Sequence, residues 1–328
     1  MAGIWSRIAA CAVLCVATTT TAFAQSPVAR YPERPVRILV GYSPGGLPDT
    51  VARIVAQRLG EKWGQQVIVE NRPGANSVVA ADQVIKSAPD GYTLMVTDSS
   101  TVAINPWLYQ KLSYDPQKDL TPISLTARAP LFLAAHPTVP AATLQEFIQL
   151  VKAKPGALSY GSSGIGSTHH LCMESLKSAQ GLDIVHVPYK GTGQSVPALL
   201  GGQVAVLFSA YPSLAGNVKE GKLKLLAVNS EKRSALAPDV PTIAEILIPG
   251  FDFAPTIGVL GPPGMSPELV AKISADVAEA VKAPATVEHL NKIGIEAVGG
   301  SAAEYAALLR ADTERYGKAV KAAGVKPE

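Results

Sequence analysis

Val36-Arg37-Ile38-Leu39-Val40-Gly41-Tyr42-Ser43-Pro44-Gly45-Gly46-Leu47-Pro48-Asp49-Thr50 is the stretch that decides the fold. Residues 36–40 are a short apolar, β-branched run, which predicts a buried strand. Pro44, Gly45, Gly46 and Pro48 impose a turn. Beyond it Val51, Ile54, Val55 and Leu59 recur at three- and four-residue spacing, which predicts a helix. Asp49 or Thr50 is its expected N-cap and Gly60 its expected C-terminal stop. A glycine-rich loop between a strand and a helix gathers free amides at the positive end of the helix dipole, and that geometry favours an anion.

Three readings of this loop compete. It is an ordinary tight turn, a catalytic elbow or a carboxylate site. Gly41-Tyr42-Ser43-Pro44-Gly45 matches the G-x-S-x-G nucleophile elbow. In that elbow the residue after serine donates its amide to the oxyanion, and Pro44 has no N–H to donate. A hydrolase using Ser43 is therefore the weakest of the three.

The chain's 328 residues suffice for two modest domains with proper cores. The net charge of +3 comes without a basic stripe, which argues against nucleic acid. The first 24 residues read as a secretory signal, with Arg7 ahead of an apolar run at 8–16 and Ala22-Phe23-Ala24 before Gln25. An uncleaved anchor is the alternative, and Leu14 before Cys15 argues against a lipoprotein site. Cleavage removes Cys11 and Cys15 and leaves Cys172, so no intrachain disulfide is expected.

Strands alternating with helices follow. Residues 67–70 and 93–97 are predicted strands, with a turn at Asn71-Arg72-Pro73-Gly74-Ala75-Asn76 and a helix from Val78. The alternation predicts a parallel sheet with ligand loops at the carboxyl ends of its strands. Thr97-Asp98-Ser99-Ser100-Thr101, with Ser99 and Thr101 as candidate ligand residues, is one such loop, or an ordinary polar one. Further strands are expected near 131–135, 158–161, 185–187, 204–208, 223–228 and 256–260. Capping boxes at Thr143–Glu146 and Ser301–Glu304, and Ser266-Pro267, mark helix starts. The expected organisation is domain 1 from 25–127 plus 231–328 and an inserted domain 2 from 128–230.

Tyr160-Gly161-Ser162-Ser163-Gly164-Ile165-Gly166-Ser167-Thr168 is a second loop of the same kind, opening a helix predicted over 168–178. It lacks both the dinucleotide fingerprint and the lysine of a phosphate loop, since Ser167 follows its last glycine. Two such loops facing one cleft suggest a small ligand whose carboxylate is held by backbone donors. His169, His170, Cys172 and Glu174 invite a metal reading, but on a helix they do not converge, so no metal and no cofactor is expected. Core packing or capping is the expected role, and Cys172 on an apolar face is a poor nucleophile.

From about Tyr31 to the C-terminus the chain resembles the TctC or Bug family of periplasmic solute-binding proteins. The resemblance is carried by Tyr31-Pro32 with Arg34-Pro35, Ser43-Pro44-Gly45-Gly46 with Asp49, Val69-Glu70-Asn71-Arg72-Pro73-Gly74-Ala75 and Pro89-Asp90-Gly91-Tyr92-Thr93-Leu94. Ala103-Ile104-Asn105-Pro106, Tyr114-Asp115-Pro116, the stretch 161–170, Val187-Pro188-Tyr189-Lys190-Gly191 and Val240-Pro241-Thr242 continue it. The resemblance implies a type II periplasmic binding fold: two α/β domains, a ligand in the cleft and no enzyme activity. It implies capture of an organic carboxylate by domain closure and delivery to the permease of a tripartite tricarboxylate transporter, by a periplasmic monomer. A sensor feeding a signalling partner is the alternative.

Carried onto this chain, the ligand residues are Tyr42, Ser43, Gly45, Gly46 and Asp49 in the first loop and Ser162, Ser163, Gly166, Ser167 and Thr168 in the second. Tyr189, Lys190, Gly191 and Thr192 form the far wall, and Ser209 joins them. An exposed loop lysine is an equal reading of Lys190. Many relatives carry an acid where this chain has Ala205, Asp-Asn where it has Ser209-Ala210, and tryptophan near Thr256. These departures imply a less negative, roomier pocket and a ligand without an ammonium group.

Overall fold

The run at 36–40 forms strand β1 (Val36–Val40), buried at every position but Arg37. It opens the second of two compact units, Met1–Tyr31 and Pro32–Glu328. The computed structural model describes residues 27–42, 44–189 and 191–325. In the first unit the described residues include one 3-10 turn, Pro27–Arg30; the expected signal segment 1–24 lies outside the described residues.

In the second unit the chain continues through α1 (Leu47–Trp63), β2 (Val67–Asn71), α2 (Val78–Ile85), β3 (Thr93–Asp98), α3 (Asn105–Leu108), β4 (Thr121–Arg128), β5 (Leu131–Ala135) and α4 (Leu144–Ala153). It then forms β6 (Ser159–Ser162), α5 (Thr168–Gln180), β7 (Val185–Pro188), α6 (Thr192–Leu200), β8 (Val206–Ala210), α7 (Tyr211–Lys219) and β9 (Lys224–Val228). The last section is α8 (Ile243–Ile246), β10 (Thr256–Gly261), α9 (Pro267–Lys282), α10 (Pro284–Lys292), β11 (Glu296–Gly300) and α11 (Ala302–Ala322).

The fold is mixed α/β with two sheets, ordered β11-β4-β10-β3-β1-β2 and β7-β6-β8-β5-β9. The expectation of a parallel sheet holds for β1 with β2 and β3, and for β6 with β7 and β8. It fails elsewhere: β10 is antiparallel to β3 and β4, β11 to β4, and β5 to β8 and β9. Two of these strands, β4 and β11, were not legible. Thr121-Pro122 and Ser124 interrupt the apolar signal of β4, and Glu296-Ala297-Val298-Gly299-Gly300 carries too little of it.

Helix α1 also differs at both ends. It starts at Leu47 with Gly46 as N-cap, because the Asp49 side chain turns back to the loop. It runs through Gly60 and stops at Gly64, which adopts φ 64°. The Ser301–Glu304 capping box and the Ser266 cap form as expected. At α4, Thr143 caps Glu146, but Glu146 reaches back to the Ala142 amide instead of closing the box.

Helix α11 serves two cores. Tyr305 and Leu309 pack with Leu39, Met95 and Leu260 of the first sheet. About two to three turns further on, Tyr316, Ala319 and Val320 join Leu133, Phe147 and Phe208 around the second. Each large apolar side chain buried this way contributes about 1.5–3 kcal/mol.

Candidate functional site

Strand register fixes which loops meet. Only Ala129 and Pro130 separate β4 from β5. In the first sheet Arg128 pairs with Thr256, and Ile257 with Asp98, so the end of β3 lies at the same edge as this crossover. Val40 is level with Val96, which brings the end of β1 there too. In the second sheet Leu131 pairs with Ala210 at the start of β5, and β6 runs parallel to β8. The loops after β1, β2 and β3 therefore face those after β6, β7 and β8.

On the first-sheet side three loops pack together. Gly41 passes so close to the second that a Cβ there would lie 2.2 Å from Ser77 Oγ. Ala75, Asn76 and Ser77 are three consecutive non-glycine residues with positive φ, at 44°, 49° and 71°. Such residues cost about 1–2 kcal/mol each. A reciprocal pair offsets part of that cost: Asn76 Nδ2 donates to Asn105 Oδ1 at 2.6 Å, and Asn105 Nδ2 donates to Asn76 O at 3.0 Å.

Asp49 closes the first loop from within. Its carboxylate is 2% exposed. It accepts from the Gly45 amide at 2.8 Å, Arg53 Nε at 3.0 Å and Asn71 Nδ2 at 2.8 Å. Burial alone would raise its pKa; the hydrogen bonds outweigh burial and hold it below 3.8. The side chain expected to touch ligand thus occupies the anion position itself. Tyr42 is half-buried, with its hydroxyl 2.7 Å from both Asp98 Oδ1 and Ser100 Oγ. Burial pushes Asp98 up, and hydrogen bonds from Ser100 and Tyr42 offset that only in part. Gly45 and Gly46 shape the loop at its exposed rim. Thr101 is fully buried with its hydroxyl 2.6 Å from that of Thr97, and Ser99 is buried with its hydroxyl toward Tyr316.

The second loop is closed by neutral groups. Ser167 caps α5, accepting from the His170 amide and donating to Gly164 O at 2.7 Å. The Gly166 amide donates to His170 Nδ1 at 3.0 Å. Ser162 Oγ contacts His186 Nε2 at 2.7 Å. The His170 and His186 rings stack at 4.1 Å, and His186 stacks on Tyr160 at 4.7 Å. Behind them Glu174 accepts from the Tyr160 hydroxyl and from Lys177. Burial, reinforced at His170 by Lys177 and at His186 by His170, lowers both histidines to about 4. Burial alone does the same to His169. Gly166 has φ 73°, and a Cβ there would lie 2.5 Å from Leu108. The amides of Thr168 and His169 have no acceptor among the described residues.

Tyr189 is half-buried and its amide donates to Ser162 O. Gly191 caps α6, with φ 131°, and Thr192 is its first residue. Ser43 and Lys190 lie outside the described residues. Unpartnered buried atoms lie near the facing edges: Ser163 Oγ, His169 Nδ1 and Ser209 Oγ. Of the three departures from the family pattern, Ala205 is misplaced as a pocket position. It precedes β8 and pairs with Ser159 at the opposite end of the sheet. Thr256 is buried against Asp312. The sequence reading missed Asn71, Ser77, His169 and His186 as parts of this region; the Asn71–Ser77 segment carried only turn residues as its signal.

Among the described residues no group of three His, Cys, Asp or Glu could hold a metal. Cys172 is buried, its thiol pushed well up by burial and in contact with Asn229 Nδ2 at 3.5 Å. No helix among them is long and apolar enough to cross a membrane.

The model of the tripartite tricarboxylate transporter family receptor, TctC, matches residues 51–325. Protein BugT of Bordetella pertussis is 34% identical over 297 residues, 90% of this chain and 91% of BugT. The R. palustris protein Rpa4515, solved with adipate, is 33% identical with a TM-score of 0.81, over 91% of this chain and all of that one. MatC from Rhodopseudomonas palustris, solved with malate, is 31% identical with a TM-score of 0.76, over 88% of this chain and all of that one.

Proposed function

The chain belongs to the tripartite tricarboxylate transporter receptor family, and from that premise we propose that it captures a small organic carboxylate between the facing loops and delivers it to a membrane permease. The family consists of receptors rather than enzymes. The observation that carries the reading is the set of buried hydrogen-bonding atoms left without partners at the facing edges, Ser163 Oγ, Ser209 Oγ and His169 Nδ1. A buried polar atom without a partner costs about 1–3 kcal/mol, which a bound solute or its waters would recover. The free amides at the start of α5 supply donors of the right sign for a carboxylate. The carboxylates in the two R. palustris structures are of the same chemical class.

In this reading residues 1–24 are a cleaved export signal, the mature protein is a periplasmic monomer, and 25–127 plus 231–328 close on 128–230 around the crossover between β4 and β5 and the return of the chain after β9. A closing ligand acts through its greater affinity for the closed state. A thermal-shift screen of the mature protein against mono-, di- and tricarboxylates, aromatic acids and amino acids tests it. A rise in Tm confined to one class of acid, lost in Ser167→Ala and Gly45→Val, is expected. No shift with any acid contradicts it. Uptake of that acid by cells, abolished when the permease is deleted, separates transport from sensing.

A further inference from the structure

The proposed site has two chemically different walls. The second-sheet wall offers donors, the Thr168 and His169 amides at the positive end of α5. The first-sheet wall offers an acid. Asp98 ends β3 at the facing edge and remains partly exposed. Its Oδ1 accepts from Tyr42 at 2.7 Å, from the Ser100 amide at 3.0 Å and from Ser100 Oγ. Its Oδ2 accepts no hydrogen bond from the described residues, and none of their lysines or arginines pairs with it. Asp49, one strand away, shows the contrast: both of its oxygens are taken, and Arg53 neutralises it. The second oxygen of Asp98 is not among the buried unpartnered atoms, so it is open to solvent at the facing edge, unpaired with any described cation, and a donor on the solute can replace water there.

We propose that Asp98, held by Tyr42 and Ser100, is the acceptor end of the ligand site, and that the solute bears a hydroxyl or ammonium donor besides its carboxylate. This rests on the carboxylate reading above and narrows it to hydroxy- or amino-carboxylates. It also reverses the expectation drawn from Ala205, because the acid that matters comes from β3. A plain dicarboxylate would set a second negative charge against Asp98, whereas a donor at that end gains a charge-assisted hydrogen bond.

Calorimetric titration of the mature protein with matched acids tests this. One series is succinate, malate and aspartate, which differ only in a hydrogen, a hydroxyl or an ammonium; phenylacetate and mandelate form a second pair. The expected result is that a donor-bearing acid binds at least about tenfold tighter than its plain partner, as a hydrogen bond to a charged group implies. Comparing malate with aspartate tells hydroxyl from ammonium. In Asp98→Ala the preference falls to about one. In Asp98→Asn, which keeps the shape and one acceptor oxygen, an ammonium preference falls and a hydroxyl preference largely persists. Equal or tighter binding of the plain acid, or a preference that survives Asp98→Ala, overturns the inference. If plain acids alone bind, the carboxylate reading stands and this inference fails; if no acid binds, both fail.

Discussion

The loops at 41–46 and 162–168 are built from the same parts: a strand end, glycines, hydroxyl side chains and a helix N-terminus. They differ in what closes them. The first is closed by a charge, the Asp49 carboxylate, which takes the Gly45 amide and is itself matched by Asn71 and Arg53. The second is closed by the neutral groups Ser162, Ser167 and His170. A helix N-terminus already holding an internal carboxylate has little left for an external one, so in the proposed function the first loop has a positioning role and the second loop the binding role. A glycine-rich motif becomes an anion site only where no acid within its own first turn fills it.

The largest effect should come from removing the internal anion. Asp49→Ala leaves Arg53 and the Gly45 amide without their partner, and urea denaturation should show a loss of about 3 kcal/mol. Because the folded pKa of Asp49 is lowered, its contribution is complete above the ordinary value of 3.8 and is lost as pH falls through the folded value. A loss below about 0.5 kcal/mol would mean the loop is held by other means.

Gly166→Ala comes next. The positive φ and the 2.5 Å approach to Leu108 both oppose a side chain, for about 2–3 kcal/mol in total. Adding Leu108→Ala should recover the packing part and leave the backbone part. No recovery in the double variant would break the link between this loop and α3.

The third test is pH. His169, His170 and His186 are held neutral with pKa values lowered to about 4 from 6.5. Their contribution is complete above 6.5 and is lost progressively as pH falls through the folded value, because the unfolded chain takes up protons first. His170→Gln should flatten this loss between pH 7 and pH 5 by about 2 kcal/mol. The first loop, having no histidine, should show no such dependence when probed by exchange of the Gly45 amide.

The smallest effect on stability is expected at Ile165, which is 63% exposed on the second loop. Ile165→Ser should change stability by less than about 0.5 kcal/mol, so any change in ligand affinity reports its contact with the solute.

The same contrast explains what could be read in advance. The strand at 36–40, the second loop and the Ser301–Glu304 box depend on neighbours in sequence, and they are where they were expected. The inward turn of Asp49 depends on Asn71, which β2 delivers from 22 residues away. The left-handed run at 75–77 is held by Asn105, a further strand along the chain. Asp98 was visible as part of a polar loop, but its open oxygen emerges only when Tyr42 and Ser100 both settle on the other one. The antiparallel strands β4 and β11 gain their place from partners distant in sequence, with weak local signal of their own.

The most direct test of the central claim is a backbone NMR titration of the mature protein with whichever acid gives the largest thermal shift. The account predicts that the amides of Thr168 and His169 move and become protected from exchange, while the Gly45 amide, already bonded to Asp49, stays where it is. Movement and protection at Gly45 and Gly46, with Thr168 and His169 unchanged, would contradict it.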